Sequence, residues 1–531
     1  MASVTKLRSA GKRTPTAEDA RLTQILEEAR TARSVFATTY NNFYSMAAPW
    51  RPRVGERSTP SNPRAPSEQD DIFDTTLQDA VDDWASDCGD EFTPSYRPWT
   101  TYTGMTSLEQ FSKPTQEKIK ALAQSQMNTV YDSINASSYE EQSQEAWTDL
   151  AIGPTGMDIP YTAPGLPLSF EHVPLAELLF VPSPYGGIGD RAREREIQVK
   201  HLDVMYPNID WSHLGTKEVR RMTTTTVTIT EMHTRDWYNR SEEVWTFVVM
   251  EGGMTVSKPQ VTRGDGSCRL IIARPRVSAP SAYGIGFANK AIAPSRALDQ
   301  MAYLALKREG RALDPPTIYS DPEQTLNVEG GMDNGVWYEA GDGFEVKEIY
   351  PQSDAREVWF KQEDLRAMVR RALFQDKPYQ RGDTPPSATQ WMQEEERNAR
   401  RKGFPRARIT NEWVLPILRR VTHILKERKQ IEDFDFEGKL IRFEPISPMS
   451  RASDLNEVTM ADRHITMFAG RFGEEAIDYY DVPEMMENAR KKMGTTVVVV
   501  ETAEKVAEKQ QRRAMMQAAA SGKLMPGDQA A

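Results

Sequence analysis

The stretch from Tyr283 to Thr389 constrains the fold of this 531-residue chain most strongly. It begins with a Tyr-Gly-Ile-Gly turn, and a helical pattern over residues 295–313 stops at Pro315-Pro316, because proline cannot continue a helix. Residues 317–351 are strand-like with Gly-rich turns, and a second helical pattern occupies residues 354–375. The sequence therefore predicts two helices flanking a compact β-rich insert, with apolar faces that one protomer cannot bury alone.

Composition limits the classes of function. The net charge of −11 and the pI of about 5.4 argue against a protein that coats nucleic acid with one broad basic face. The two cysteines, Cys88 and Cys268, lie in separate segments, so neither a disulfide framework nor a zinc site is predicted, and a reducing compartment is expected. The sequence has no apolar leader at its start and no apolar run of roughly 18 residues, so we expect a chain that is neither secreted nor membrane-embedded.

Periodic patterns outside this stretch predict an α+β chain. Residues 17–46 read as an amphipathic helix, and apolar residues recur at helical spacing from Phe73 to Cys88 and from Ile119 to Ile134. Residues 147–275 contain short β-prone runs separated by Gly-rich turns, which predicts an antiparallel β domain. These runs are Leu178–Val181, Thr223–Thr230, Val244–Met250 and Leu270–Ala273.

A proline- and glycine-containing loop over residues 376–387 follows the second helix of the pair. It carries Lys377, Tyr379 and Arg381, and it leads to another helical pattern. Because rigid scaffolds usually present functional side chains on loops, these three residues are candidate functional residues.

The pattern from Ser387 to about Lys429 predicts a long helix with bends at Gly403-Phe-Pro405 and at Pro416, followed by a short strand over residues 439–444. Two interpretations of its positive charge stay open. One is a solvated face with intrahelical Glu–Arg pairs, and the other is a surface that contacts phosphates or acidic faces of neighbouring subunits. The cations are Arg397, Arg400, Arg401, Lys402, Arg406, Arg408, Arg419, Arg420, Lys426, Arg428 and Lys429.

Signals for catalysis are weak. The segment from Tyr185 to Asp190 resembles a phosphate-binding Gly loop, but it lacks the Lys-Ser/Thr of a P-loop, and a plain turn between strands is the better interpretation. The six histidines are scattered without paired metal-ligand spacing, and no Gly-x-Ser-x-Gly motif offers a nucleophile. We therefore expect no enzymatic activity, no metal and no cofactor.

Short Gly- and Pro-centred motifs recur along the chain in a definite order. They are Ile72-Phe-Asp-Thr-Thr, Phe92-Thr-Pro, Asp149-Leu-Ala-Ile-Gly-Pro-Thr-Gly, Phe180-Val-Pro-Ser-Pro-Tyr-Gly-Gly, Ala273-Arg-Pro, Tyr283-Gly-Ile-Gly, Leu313-Asp-Pro-Pro and Ser387-Ala-Thr-Gln. Their order and spacing over roughly residues 20–445 resemble the portal, or head-to-tail connector, proteins of short-tailed bacteriophages, whereas residues 450–531 match nothing in that pattern. One departure is Ile285, where family members often carry Arg.

The resemblance implies a multi-domain α+β protomer with a wing, a helical stem, a β-rich clip and a helical crown, assembling into a ring that usually has twelve subunits. The candidate stem cations are then Lys307, Arg308, Arg366, Arg370 and Arg371. The implied regions are a wing over residues 1–294, stem helices over 295–313 and 354–375, a clip over 314–353, a tunnel loop over 376–387, a return to the wing over 388–445 and a crown over 446–531.

The resemblance also implies a function at the capsid vertex. The ring would be the channel through which double-stranded DNA is packaged and ejected, contacted without sequence specificity by Lys377 and Arg381. The clip would dock the terminase large subunit and then the tail adaptor or nozzle proteins, while the wing side would meet the major capsid protein and scaffold. Such a protein lies in the virion, and in the host cytoplasm during assembly, with no membrane partner. A capsid or scaffold-type structural protein and a metal-dependent nuclease remain alternatives.

Overall fold

The computed structural model describes most of the chain up to Pro445 and short pieces beyond it. The described residues are 15–56, 72–95, 100–102, 113–278, 281–320, 336–340, 347–348, 355–375, 406–431, 435–436, 439–440, 443–445, 458, 460–467, 485–486 and 489. The chain divides into two units, Met1–Pro445 and Ile446–Ala531. In the second unit, residues 460–467 form a helix, and every other element below belongs to the first unit.

Amphipathic helices form one part of the first unit. The first of them starts with a capping box, in which the Thr16 hydroxyl accepts the Asp19 amide and the Asp19 carboxylate accepts the Thr16 amide, at 3.2 and 2.8 Å. The helices are α1 Ala17–Ala47, α2 Thr76–Phe92, α3 Lys113–Asn135, α4 Tyr139–Ile152, α5 Val199–Met205, α6 Lys217–Met222, α7 Asn289–Leu313, α8 Ala355–Ala372 and α9 Leu415–Glu427.

The main core lies between these helices and the strands at residues 155–158, 171–173, 178–182 and 270–273. The rings of Trp147 on α4 and Trp413, just before α9, have centroids 5.6 Å apart, and both side chains are fully buried. Tyr40 and Tyr44 from α1 and Leu77 from α2 are buried in the same cluster. Large aromatic side chains remove the most apolar area from water, so these positions stabilise the packing of the helices.

The strands confirm the predicted antiparallel β domain. A six-stranded antiparallel sheet has the order β4-β5-β6-β7-β8, and β9 also pairs with β7. A second antiparallel sheet has the order β10-β2-β3. The strands of both sheets are β2 Thr155–Asp158, β3 Glu171–Val173, β4 Leu178–Pro182, β5 Ile188–Gln198, β6 Thr226–Arg235, β7 Val244–Glu251, β8 Met254–Thr255, β9 Gln260–Arg263 and β10 Leu270–Ala273.

The insert between α7 and α8 contains strands, as the sequence predicts. β11 Thr317–Ser320 pairs in parallel with β12 Trp337–Ala340 and antiparallel with β13 Lys347–Glu348. In chain order the small sheet therefore lies between α7 and α8.

Short strands near the end of the first unit differ from the predicted strand over residues 439–444. The structure contains β14 Asp435–Phe436 paired with β15 Lys439–Leu440, and β16 Phe443–Pro445 paired with β1 Thr100–Tyr102. The predicted strand is thus wrong as a single element, because its two ends pair with different partners.

Three helices differ from the sequence-based expectation. Within residues 147–275, which the sequence predicted as a β domain, the structure also contains the two short helices α5 and α6. Because α6 ends at Met222, β6 begins at Thr226 and not at the expected Thr223. α7 begins at Asn289, six residues before the predicted start at 295, with Pro294 in its second turn. Because Pro294 is the sixth residue of α7, the helix lacks the hydrogen bond that residue 294 would otherwise donate to the Lys290 carbonyl.

The predicted bend at Pro416 takes the form of a π turn. Residues 410–414 make a π-helical turn immediately before α9, whose second residue is Pro416. Proline has no amide hydrogen, so it cannot donate to the carbonyl four residues earlier, that of Glu412, and the local change of helix register lies at this position.

Candidate assembly and channel surface

The Tyr-Gly-Ile-Gly turn fixes the start of α7 to the end of α4. The amides of Gly286 and Ala288 donate to the carbonyls of Ile152 and Ala151, at 2.9 and 3.0 Å. A Cβ placed on Gly286 would lie 2.0 Å from the Ala151 carbonyl oxygen, so only glycine fits this approach of two backbones.

Tyrosine hydroxyls hold the same turn from the other side. The Tyr40 hydroxyl donates to the Gly284 carbonyl at 2.6 Å, and the Phe180 amide donates to the Tyr283 hydroxyl at 3.2 Å. Both tyrosine side chains are buried, and burial raises the pKa of each. The turn is thereby tied to α1, α4 and β4, which gives α7 a fixed origin.

α7 and α8 pack against each other, and their burial changes along their length. Near the turn, Ala291 and Leu298 of α7 are buried, as are Val369 and Leu373 at the end of α8. Farther along α7, Tyr303, Leu304, Leu306 and Leu313 are exposed, and on α8 Met368 is exposed beside the buried Val369. The predicted apolar stripe of α7 is therefore only partly covered within one copy of the chain.

A carboxylate network joins both helices of this pair to the start of α2. Asp299 on α7 accepts the amides of Phe73 and Asp74, at 2.7 and 3.2 Å. Asp74 in turn accepts the amide of Thr76 at 3.0 Å and two hydrogen bonds from the Arg366 guanidinium on α8. This junction network fixes the position of the helix pair on the helical core.

The candidate stem cations fall into different environments. Arg366 is half-buried and pairs with Asp74 and Glu363, at 3.0 and 2.7 Å. The hydrogen bond to Glu363 raises the pKa of the Arg366 guanidinium. Burial lowers this pKa by a smaller amount, and Asp74 raises it further. Lys307 and Arg371 are exposed, while Arg308 and Arg370 are half-buried. Arg366 thus acts first as a structural cation at the junction.

The arginines that continue the predicted basic helix into the described residues mostly contact the protein itself. Arg406 is buried and pairs with Glu91, and Arg408 lies 3.3 Å from Glu412. Arg420 is buried and donates to three backbone carbonyls, those of Ile159, Gly266 and Ser267, at 3.0 to 3.3 Å. Arg408 with Glu412 is an intrahelical Glu–Arg pair of the kind that one interpretation expected. Arg420 fits neither interpretation, because its guanidinium fills an internal site lined by carbonyls.

Three further expectations can be compared with the described residues. Tyr185 to Gly187 lie in the turn between β4 and β5, closed by hydrogen bonds from Gly186 and Gly187 to Ser183, and Ile188 to Asp190 begin β5. Within the described residues, no group of His, Cys, Asp or Glu side chains is placed to hold a metal ion. No described helix is long and apolar enough to cross a membrane.

The sequence matches the family model described as "Bacteriophage head to tail connecting protein" over residues 19–500. This chain belongs to that family. The match covers the helix pair and its turn, and it extends past residue 445, where the motif resemblance ended. The chain is therefore a portal, or connector, protein of the virion.

Other comparisons add little to this assignment. A chain titled "Virion of native gene transfer agent (GTA) particle" matches with 11% identity and a TM-score of 0.28, covering 69% of this chain and 84% of that chain. Likeness at this level carries no argument about detail. No curated protein matches the sequence.

Seven of the candidate site residues of this connector lie outside the described residues. They are Lys377, Tyr379, Arg381, Arg397, Arg400, Arg401 and Lys402. In the described part of the connector, sequence reasoning missed Asp74, Asp299 and the buried Arg420 as structural residues. For one of these aspartates the sequence did contain a signal, because Asp74 precedes the start of α2 at a spacing typical of a helix cap.

Proposed function

We propose that this connector is the protomer of a ring, of about twelve copies, that forms the DNA channel at the capsid vertex. The observation that carries the proposal is the set of exposed apolar side chains on the α7–α8 pair, Leu304, Leu306, Leu313 and Met368, of which Leu304 lies on the side of α7 opposite to Leu306 and Leu313. Exposed apolar side chains concentrated on one helix pair favour a protein partner, and a closed ring offers the same partner to every copy.

The proposed division of the protomer follows the resemblance. The wing is residues 1–294, the stem helices are 295–313 and 354–375, and the clip is 314–353. The tunnel loop is 376–387, the wing return is 388–445 and the crown is 446–531. The junction network supports a rigid stem, because Asp299 and Arg366 attach its two helices to the same segment before α2.

The DNA contacts in this proposal are weak and repeated. Lys377 and Arg381 of the loop, with the exposed stem cations Lys307 and Arg371, would meet phosphates without reading base sequence. The net charge of −11 per copy limits the total attraction, so that a duplex can move through the ring.

The proposed partners follow from the family. The clip would bind the terminase large subunit during packaging and tail adaptor or nozzle proteins afterwards. The wing side would meet the major capsid protein and scaffold. Chemical energy for DNA movement would come from the terminase, and this chain would itself perform no reaction.

Mass measurement of the purified assembly, combined with electron-microscope images along its axis, tests the proposal. We expect one dominant ring with a central hole and a mass near twelve times 60.2 kDa. A double variant, Leu304→Glu with Leu306→Glu, should lower the ring fraction, whereas Val35→Glu on the exposed face of α1 should not. A wild-type chain that stays monomeric at high concentration would contradict the ring.

A further inference from the structure

α5 and α6 present a second set of exposed apolar side chains, far along the chain from the stem. Val204 and Met205 on α5 are 79% and 42% exposed, and Val219 and Met222 on α6 are 49% and 86% exposed. The two helices contact each other. Single exposed apolar residues are common, but four on two neighbouring short helices are typical of an interaction surface.

This surface rests on a rigid base. Arg220 of α6 is buried and forms a two-point ion pair with Asp203 of α5, at 2.7 and 3.2 Å. Its remaining nitrogen donates to the carbonyls of Trp211 and Gly215, at 3.0 and 2.6 Å. Beneath the helices lies a separate small core of Ile197, Val199, Leu202, Tyr206, Trp211, Leu214, Ile229 and Val249. A surface held in this way is preformed, so binding need not order it first.

The charged side chains around the apolar residues are mainly basic. Lys217 and Arg221 are exposed on α6, and Lys200 is half-buried at the start of α5. The Arg220 hydrogen bond lowers the pKa of Asp203, burial opposes this, and Lys217 and Arg221 lower the pKa further, which shows that these two cations lie near α5. The exposed acids nearby are Glu218 on α6 and Asp210 in the segment between the two helices. A chain with a net charge of −11 therefore shows a locally basic, apolar surface.

We propose that the α5–α6 surface, formed by Val204, Met205, Val219 and Met222 with Lys200, Lys217 and Arg221, binds a short, acidic, amphipathic segment of another protein. Four large apolar side chains favour a protein over a nucleic acid, whose phosphates would need mainly cations. Two helices of 7 and 6 residues offer much less than the roughly 800 Å² per partner of a stable subunit interface, which favours a short segment. The basic rim selects an acidic one.

Binding of a synthetic peptide tests this proposal directly. The probe is an amphipathic helix with leucines on one face and glutamates on the other, compared with the same residues in scrambled order and with a lysine version of the same helix. Fluorescence anisotropy with the purified full-length protein should show binding of the acidic helix and at least about tenfold weaker binding of the other two. Equal binding of all three peptides would overturn the proposal.

Variants assign the binding to this surface. Val204→Glu with Met222→Glu should weaken binding of the acidic helix by about tenfold or more, and Lys217→Glu with Arg221→Glu should do the same. Val35→Glu is the matched control, because Val35 is 74% exposed on α1 and receives the same substitution. Unchanged binding in both double variants would overturn the assignment.

Two other occupants would give distinct results. If the surface contacts a second copy of the chain, Val204→Glu with Met222→Glu will change the mass of the assembly, and the proposal fails. If it contacts nucleic acid, a DNA duplex will bind in a salt-dependent way that Lys217→Glu with Arg221→Glu abolishes, and the acidic helix will not bind. The proposal does not rest on ring formation, so a monomeric chain that binds the acidic helix would still support it.

Discussion

Arg366 and Asp74 are 292 residues apart in the chain, and the guanidinium donates from Nε and Nη2 to one oxygen of the carboxylate, at 3.3 and 3.0 Å. The other oxygen of Asp74 accepts the Thr76 amide at the start of α2. One side chain therefore stabilises a helix start and holds a helix from a distant part of the chain.

Asp74→Ala should lower the stability of the protein by about 1–3 kcal/mol, because it leaves the Thr76 amide uncapped and removes one partner of Arg366. Adding Arg366→Ala should cost little more, since the two residues act as a pair. Thermal unfolding followed by circular dichroism measures both. Glu363→Ala is the control, because Glu363 pairs with Arg366 on the helix surface and should matter by less than about 0.5 kcal/mol. Equal losses for Glu363→Ala and Asp74→Ala would contradict the prediction.

Gly286→Ala should destabilise the protein by about 3 kcal/mol or more, because its methyl group would overlap the Ala151 and Ile152 carbonyl oxygens. Gly89→Ala is the matched control, and it should change stability in the opposite direction. Gly89 is inside α2, and a Cβ there meets its nearest atom at 3.9 Å, so alanine should stabilise by about 0.5–1 kcal/mol. Comparing the midpoints of denaturant unfolding checks both signs, and a tolerated Gly286→Ala would show that α7 can shift at its origin.

Arg420→Ala should cost about 2–4 kcal/mol, because it removes the buried guanidinium that donates to the carbonyls of Ile159, Gly266 and Ser267, of which Ser267 keeps a second donor in the Thr262 hydroxyl. Its neighbour Arg419 pairs with Asp265 at 3.3 Å, and both side chains are at least half exposed. Arg419→Ala should therefore change stability by less than about 0.5 kcal/mol. A salt titration of DNA binding should give the same slope for Arg420→Ala as for the wild type. A reduced slope would place Arg420 on a phosphate instead.

His172 should make stability depend on pH above about 6.5. Burial disfavours the charged imidazole, but the carboxylates of Asp149 and Glu145, at 3.2 and 3.4 Å, outweigh burial and raise the pKa of His172. Arg51 lies 3.6 Å from both carboxylates and opposes this rise. Because the folded pKa exceeds the unfolded value of about 6.5, the contribution is complete below that value and is lost as the pH rises through the folded pKa.

His172→Gln should remove this slope, so that the melting temperatures of variant and wild type converge as the pH is raised from about 6 through the folded pKa of His172. His201→Gln, at an exposed position of α5, is the control and should keep the wild-type profile. Melting curves at a series of pH values provide the measurement. A constant difference between His172→Gln and wild type at every pH would mean that the imidazole acts without changing its charge.

Lys377→Ala with Arg381→Ala should weaken DNA binding by the assembled protein and lower its salt dependence by roughly one unit of slope for each phosphate that the loop no longer neutralises. Lys258→Ala with Arg240→Ala changes the same residue types at exposed positions of the β domain and should leave both quantities unchanged. Filter binding of duplex DNA across salt concentrations provides the comparison. Equal effects of the two double variants would remove the loop from the proposed channel.

The sequence alone was sufficient to predict the helices and strands whose apolar pattern is long and regular. α1, α2 and α3 show a helical stripe, and β7 alternates before its Gly252-Gly253 turn, so local propensity and burial agree there. The sequence did not predict α5 and α6, because a helix of about two turns is too short to show a periodic apolar pattern.

The functional surface was harder to predict, because it depends on residues brought together from distant segments. Arg366 and Arg371 look alike in the sequence, yet one is held by Asp74 and the other is exposed. Arg420 and Arg419 are adjacent, and only the first is buried. Charge pattern gives the number of cations on a helix, whereas tertiary packing decides which of them can meet a partner.

The hydrogen bonds between the start of α7 and the end of α4 have a mechanical consequence. The carbonyls of Ala151 and Ile152, in the last turn of α4, accept the amides of Ala288 and Gly286, which directly precede α7. Carbonyls left free at the end of one helix are thereby satisfied by the segment that opens the next. Pulling the start of α7 away from the core must break both hydrogen bonds, so tension applied to this helix is passed to α4, which carries the fully buried Trp147.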